Sequence, residues 1–417
     1  LIASAVDNPE LASLNIELPV AGLSYPHTLG YELMSHYLVP CSGFWYDLDE
    51  DELSQADKTA LTPGAAVRVS VNDLPQVCGY LDTVDVRSSR SGGTIWHMEC
   101  REWNSPILDA HADPEMQFSE TQTLEQLIST ALSSFTAFGG GAISLVTDAS
   151  ANRNIITGSL RGTKTNKNGT LVKSALAHRV KPYQHEGVWT FLERVCQRFG
   201  LWLRASADGS TIIASQPDFT QDPSYGLVHV LSATTNNNVI DGGIKLSRMN
   251  QPTAILASGF GAGGVFANSK LRAAVLNPVM SVSSALVSLI KSYPGISIIE
   301  TPDLGAAPVA VGIGFADNNA RPLYLYDSES HNLAELTSFL RRELSLKMRE
   351  GLRGSYSIEG HRLGGQPVAI DTVIQVDDDR SNYSGPLWVQ DRTFSKRAGE
   401  GTKTKMTLIR LGTLSFA

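Results

Sequence analysis

Alternation of apolar and polar positions dominates the first hundred residues. Ala66 to Val71 alternates, Gly79 to Val86 runs GYLDTVDV, and Thr94 to Cys100 runs TIWHMEC, with the polar break SSRSGG between the last two. A period of two is that of a strand, so these segments predict a barrel-like β unit with a hairpin at the break. After Pro106 the period changes. Thr123 and Gln126 have the spacing of a capping box, and Leu124, Leu127, Ile128, Ala131 and Leu132 follow at helical intervals.

The clearest helix begins near Gly187. Val188, Phe191, Leu192, Val195, Cys196 and Phe199 form one apolar stripe that Gly200 ends. LWLRA and TIIAS then read as two short strands joined through Asp208-Gly209, so the unit is a helix followed by a hairpin, closing near Pro217. Strand-like runs return in VHVLSA, NNNVIDGGIKLS and PTAILASG, before a Gly- and Ala-rich stretch and apolar runs up to about Leu325. A long helix is expected from about Asn332 to Gly351, with Leu333, Leu336, Phe339, Leu340, Leu344 and Met348 on its apolar side. Its other side carries Arg341, Arg342, Glu343, Lys347, Arg349 and Glu350, read first as a solvated face and second as a subunit contact. SYSIEGH, VAIDTVIQVDDD, GPLWVQDRTFS and TKTKMTLIRLG close the chain as strands of a small antiparallel barrel.

At 417 residues the chain exceeds one ordinary domain, and 42% apolar with 18% charged residues is the make-up of a folded protein. No run reaches the roughly 18 apolar residues of a membrane span, and the start lacks a signal-peptide layout, so folding in the cytoplasm is expected. Cys41, Cys78, Cys100 and Cys196 form no C-x-x-C pair, which argues for reduced, mostly buried thiols. A net charge of −8 with dispersed Lys and Arg argues against dedicated DNA binding. An acidic wall would still suit a conduit that does not grip its contents.

Candidate chemistry is sparse. Gly259, Gly261 and Gly264 spell G-x-G-x-x-G, yet no Asp or Glu lies between Asp241 and Glu300 to hold a ribose, so a turning loop is the better reading. His97 and Glu99 share a strand face, and His178 and His185 flank a Pro-containing loop; neither pair has the third ligand that a metal needs. Asp377, Asp378 and Asp379 lack the Gly and terminal Glu of a calcium loop and read as a solvated hairpin tip. Asn168-Gly-Thr and Asn382-Tyr-Ser are chance-level glycosylation tripeptides. No G-x-S-x-G, P-loop or H-E-x-x-H occurs, so no catalytic, cofactor-binding or metal-binding residue is assigned and no enzyme is expected. A glycan- or receptor-binding protein would need exposed aromatics; Trp45, Tyr46 and Trp103 are candidates, with core packing the better use for them.

Three stretches resemble the baseplate hub proteins of contractile phage tails, of the Mu and late-control types, and the hub half of type VI secretion spikes. They are GYLDTVDV with TIWHMECREWNSPILDAHAD, the passage 180–218 with Glu186, Phe191, Leu192, Phe199, Gly200 and Gly209 in place, and the chain from 332 to the end. The resemblance implies an α+β chain with two small antiparallel β-barrels, an intervening α/β domain and a helical insertion. The bounds are 1–115 for the first barrel, 116–225 for the α/β domain, 226–260 with 352–417 for the second barrel, and 261–351 for the insertion. It further implies a homotrimeric hub in the virion's tail baseplate, assembled in the host cytoplasm. Its partners would be the tail tube, a separate central spike, wedge proteins and the tape measure, with DNA only as passing cargo. A receptor- or glycan-binding tail protein and a tail-associated cell-wall hydrolase are the alternatives.

Overall fold

In the computed structural model, the described residues are 14–90, 93–116, 118, 122–148, 163–165, 171–173, 180–230, 237–259, 271–278, 280, 284–299, 321–327, 330, 333–397 and 401–414. Thirteen strands make one mixed sheet. From one edge it runs through Asp241–Leu246, Leu352–Glu359, Gly401–Arg410 and Tyr383–Arg397, then crosses to Gly30–His36, Gly43–Asp49, Gly93–Glu102, Leu74–Ser89, Ala66–Val71, Leu14–Leu18 and Leu23–Tyr25. Val373–Asp378 also pairs with Tyr383–Arg397, and Tyr225–His229 runs parallel to Val373–Asp378.

The expectation of two separate small antiparallel barrels is therefore corrected. No sheet among the described residues closes on itself, and strands from both ends of the chain share one sheet. The reason lies in one long strand. Tyr383–Arg397 gives the first half of one edge to Val373–Asp378, from Tyr383 to Trp388, and the second half to Gly30–His36, from Asp391 to Lys396. Gly401–Arg410 occupies the other edge from Leu387 to Arg397. Because half of one edge goes to Gly30–His36 from the other end of the chain, the strand joins the two groups of strands into one sheet rather than completing a barrel of the C-terminal strands alone. Local alternation marks a strand and its buried face, but says nothing of which edge it meets.

The strands from both ends also bury one core, in which Ile16, Tyr46, Val67 and Met98 join Tyr356, Leu387, Phe394 and Met406. Burial alternates strictly along Leu14–Leu18 and Gly43–Asp49, as the pattern requires of strands with one covered face.

The helix Leu124–Leu132 starts at the expected capping box: Gln126 N donates to Thr123 Oγ1 at 3.2 Å, and Thr123 N donates to Gln126 Oε1 at 3.0 Å. The helix Val188–Arg198 buries Val188, Phe191, Leu192, Val195 and Cys196, and Gly200 takes the left-handed φ of 73° just past its end. Trp202–Ala205 and Thr211–Ser215 form the expected hairpin, and Ser144–Thr147 adds a parallel third strand. This unit is tied to the large sheet by Trp103, whose buried indole donates to Ser206 O at 3.0 Å.

A separate four-stranded mixed sheet, ordered Ile296–Ile299, Leu271–Leu276, Ala254–Gly259, Pro322–Asp327, combines three strands from the stretch expected as a helical insertion with Ala254–Gly259, a strand expected in the second barrel. Leu333–Arg349 packs Leu336, Leu340, Leu344 and Met348 against Ile255, Ala257, Ala273 and Val275. On the opposite face Ser284–Ser292 packs Leu286 and Ile290 against Ala254, Leu256 and Ala274. A strand covered on both faces has no polar side, which explains why AILASG reads as a continuous apolar run.

Gly79, which opens the GYLDTVDV strand, sits where a Cβ would overlap the Arg101 carbonyl and the Phe44 ring. Gly79→Ala is expected to destabilise the fold by about 1–3 kcal/mol, the usual range for overpacking. The midpoint of urea unfolding measures it.

Candidate functional site

The place where most buried polar chemistry gathers is the joint between the two ends of the chain. Arg392 lies on the shared strand, almost wholly buried, at 6% exposure. Its Nη1 donates to Gln76 Oε1 at 2.6 Å and to the Val368 carbonyl; its Nη2 donates to Ser35 Oγ at 3.4 Å and Gln76 O at 3.5 Å. The guanidinium carbon stands 4.4 Å from the centre of the Phe394 ring. Burial pulls its pKa down to about 10, so it remains a cation at neutral pH.

Three further contacts close the same joint. Tyr31 Oη and His361 Nε2 are 2.5 Å apart, and His361 Nδ1 lies 3.0 Å from Thr404 Oγ1, which itself donates to Gly360 O at 2.6 Å. Thr404 has spent its hydrogen on Gly360, so the His361 Nδ1–H donates to Thr404, and Nε2 accepts from Tyr31. Burial, then the Arg392 charge, drives the His361 pKa down to about 3, and the ring is neutral. Lys396 Nζ donates to Thr28 O at 2.6 Å, and His36 Nδ1 meets Asp391 Oδ1 at 3.2 Å.

A cleft of 420 Å³ opens against this joint. Its polar floor holds Ser35, His36, Gln76, Glu102, Arg204 and Arg392, and its lip carries the partly exposed Val39 and Leu74. Arg204 is held by Asp371 at 2.9 Å. Glu102 accepts from Ser42 N at 2.8 Å; burial pushes its carboxyl up to about 7 against that bond and the nearby His36 and Arg392. The hydrogen bond to Asp391 raises His36 above its ordinary value. The nearby Cys41 thiol is pushed up to about 12 by burial, which leaves it a poor nucleophile. The arrangement can fasten segments together and hold protons; it does not present an activated nucleophile.

The positions singled out from sequence are scattered. His97 and Glu99 do share a face, with Nε2 to Oε1 at 3.6 Å, and His97 Nδ1 meets Asp47 Oδ1 of the neighbouring strand at 2.6 Å. His185 packs edge-on to His111 with ring centres 6.4 Å apart, whereas His178 and Asn168 lie outside the described residues. Among the described residues no group of three or more His, Cys, Asp or Glu side chains could hold a metal ion. Gly259 ends a strand where a Cβ would crowd Ser330 O at 2.8 Å, a packing reason for that glycine; Gly261 and Gly264 lie outside the described residues. Cys78, Cys100 and Cys196 are buried and Cys41 half-buried, all as free thiols. Tyr46 and Trp103 are core residues, and Trp45 is half-buried over His97 at 5.5 Å.

Two readings change. Asp378 is no solvated tip: it is 1% exposed, accepts from Tyr356 Oη at 2.8 Å, Arg380 N at 3.0 Å and Ser381 N at 3.2 Å, and faces His229 Nδ1 at 3.1 Å. Burial alone would raise its pKa, but the bonds from Ser381 and Tyr356 hold it below the ordinary value. The Asp-x-x-Ser spacing signals the local turn, while His229 and Tyr356 are too remote in sequence to be foreseen. The charged side of Leu333–Arg349 is half-buried rather than fully solvated at Arg341, Arg342, Glu343, Lys347 and Arg349, and Arg342 acts electrostatically on Glu193 of the same chain. The Arg392 joint was missed altogether, because its members stand 316 and 357 residues apart.

Removing the buried cation should be more damaging than its size suggests. Arg392→Met is expected to cost roughly 1–3 kcal/mol by leaving Gln76, Ser35 and the Val368 carbonyl buried without their donor. Arg392→Lys should recover little, since an ammonium cannot span the same fork. Denaturant unfolding of both variants checks this.

No protein-family model matches the sequence, and no curated protein matches it. Solved structures do. A tail protein from Neisseria meningitidis MC58 superimposes with a TM-score of 0.70 at 16% identity, covering 97% of this chain and 98% of that one. The 43 kDa tail protein of prophage MuSo2 from Shewanella oneidensis gives 0.66 at 14% identity, covering 96% and 99%. An Escherichia coli component of the type VI secretion system aligns at 0.48 and 10% identity over 93% and 74%. The likeness to the two tail proteins runs from end to end at low identity, and this chain has their fold.

Proposed function

We propose that the chain is a non-enzymatic structural hub of a contractile tail baseplate, three copies of which form the ring joining a sixfold tail tube to a threefold central spike. In this reading the channel passes the tape measure and then DNA without gripping either, as a net charge of −8 favours. Wedge proteins would surround the ring, and the protein would reside in the virion's tail after assembly in the host cytoplasm. The observation that carries the reading is the end-to-end likeness to two tail proteins, one of them from a prophage. The joint supports it: a ring that transmits force needs subunits whose two ends cannot part, and here the ends share one sheet and one core. Of the three aromatic candidates for a glycan-binding reading, Tyr46 and Trp103 are core residues and Trp45 is half-buried.

Light scattering of the purified chain, alone and with the spike protein encoded beside it, tests the proposal. A trimer, or a monomer that becomes a 3:3 complex with the spike, is expected. A monomer indifferent to the spike would overturn it.

A further inference from the structure

Glu102 ends the ten-residue strand Gly93–Glu102 on the floor of the 420 Å³ cleft. The other charged side chains of that floor are met from within the chain: Arg204 by Asp371, His36 by Asp391, and Arg392 by Gln76, Ser35 and the Val368 carbonyl. Glu102 accepts from Ser42 N at 2.8 Å and, among the described residues, has no basic side chain within ion-pair distance. The Ser42 amide and the more distant charges of His36 and Arg392 favour its ionised form against burial. Above it the cleft's lip carries Val39 and Leu74, 45% and 46% exposed.

A complementary surface lies at the far end of the same hairpin. Leu74–Ser89 has a neighbour on its outer side only as far as Leu81. From Thr83 to Ser89 it is paired with Gly93–Glu102 alone, so the hairpin stands out as an arm. On this arm Val86 is 47% exposed, and Arg87 is held by Asp85 at 2.6 Å. Arg90, at the tip, is exposed and has no carboxylate in contact among the described residues. Its own Glu102 is out of reach, because the strand between them spans about 30 Å at about 3.3 Å per residue. The cleft it can enter belongs to another copy.

We propose that this arm docks in the cleft of a neighbouring copy, with Arg90 pairing with Glu102 and Val86 covering Val39 and Leu74. The inference rests on the ring reading above and names the contact that builds it. An arginine supplies a planar fork to a carboxylate, and the apolar lip leaves water as the arm seats. Glu102 then answers two cations, Arg392 from beyond contact and Arg90 in contact. Arm and socket are different surfaces of one chain, so the contact is head-to-tail, the kind that closes into a ring when the rotation per step allows it.

Concentration-dependent light scattering tests the contact, on the chain alone or with the spike, whichever form trimerises. Arg90→Glu sets a carboxylate against Glu102 and should weaken the trimer at least about tenfold, leaving the monomer's melting temperature unchanged. In a Glu102→Gln background that penalty should largely vanish, since the repelling charge is gone. If Glu102→Gln does not fold, Leu74→Arg on the exposed lip replaces it: it should weaken the parent trimer and restore that of Arg90→Glu. A parent trimer indifferent to Arg90→Glu would overturn this contact and leave the ring reading standing. So would a penalty undiminished by Glu102→Gln, or a Leu74→Arg chain that restores nothing. A parent that trimerises neither alone nor with the spike would overturn the ring reading and this contact with it.

Discussion

The structure depends on the double duty of one strand. Fifteen residues, Tyr383 to Arg397, are long enough to serve two partners in succession along one edge and a third along the other. Through that strand the chain's two ends become one sheet with one core, and everything between them is an excursion that must return to it. The α/β unit is fastened near the exit of the early strands by Trp103, and the four-stranded unit hands its long helix directly to Leu352–Glu359. Such pairing joins residues more than 350 apart, so loop-closure entropy is paid late in folding and rewarded only when the joint forms.

The joint is polar where an apolar one would have sufficed for stability. A buried arginine, a neutral histidine and an Asp–His pair all require partners at set positions, and each is costly if left alone. That cost gives a register: a one-residue slip of Gly30–His36 against its partner would turn Ser35 away from Arg392 and expose Tyr31 and Leu33. For a protein read as a ring subunit under load, a joint with only one satisfied register is a useful property.

Sequence alone determined the local elements and their inward faces. The capping box at Thr123, the stripe from Val188 to Phe199 and the turn at Asp208-Gly209 stand as their spacing dictated, because caps, periods and turns act over a few residues, whereas GYLDTVDV forms a strand whose alternation is interrupted by a register shift between Leu81 and Thr83. The order of strands, and so the failure of the two-barrel expectation, was decided only in three dimensions. Edge choice depends on which remote strand arrives, and alternation is blind to it. The same holds for the site. Arg392 reads as one more charge in DRTFS until Gln76 and Ser35 are folded over it, and Glu102 is an ordinary strand residue until the cleft forms beside it. Short-range physics is written in neighbouring residues; burial of a charge is a property of the whole assembled chain.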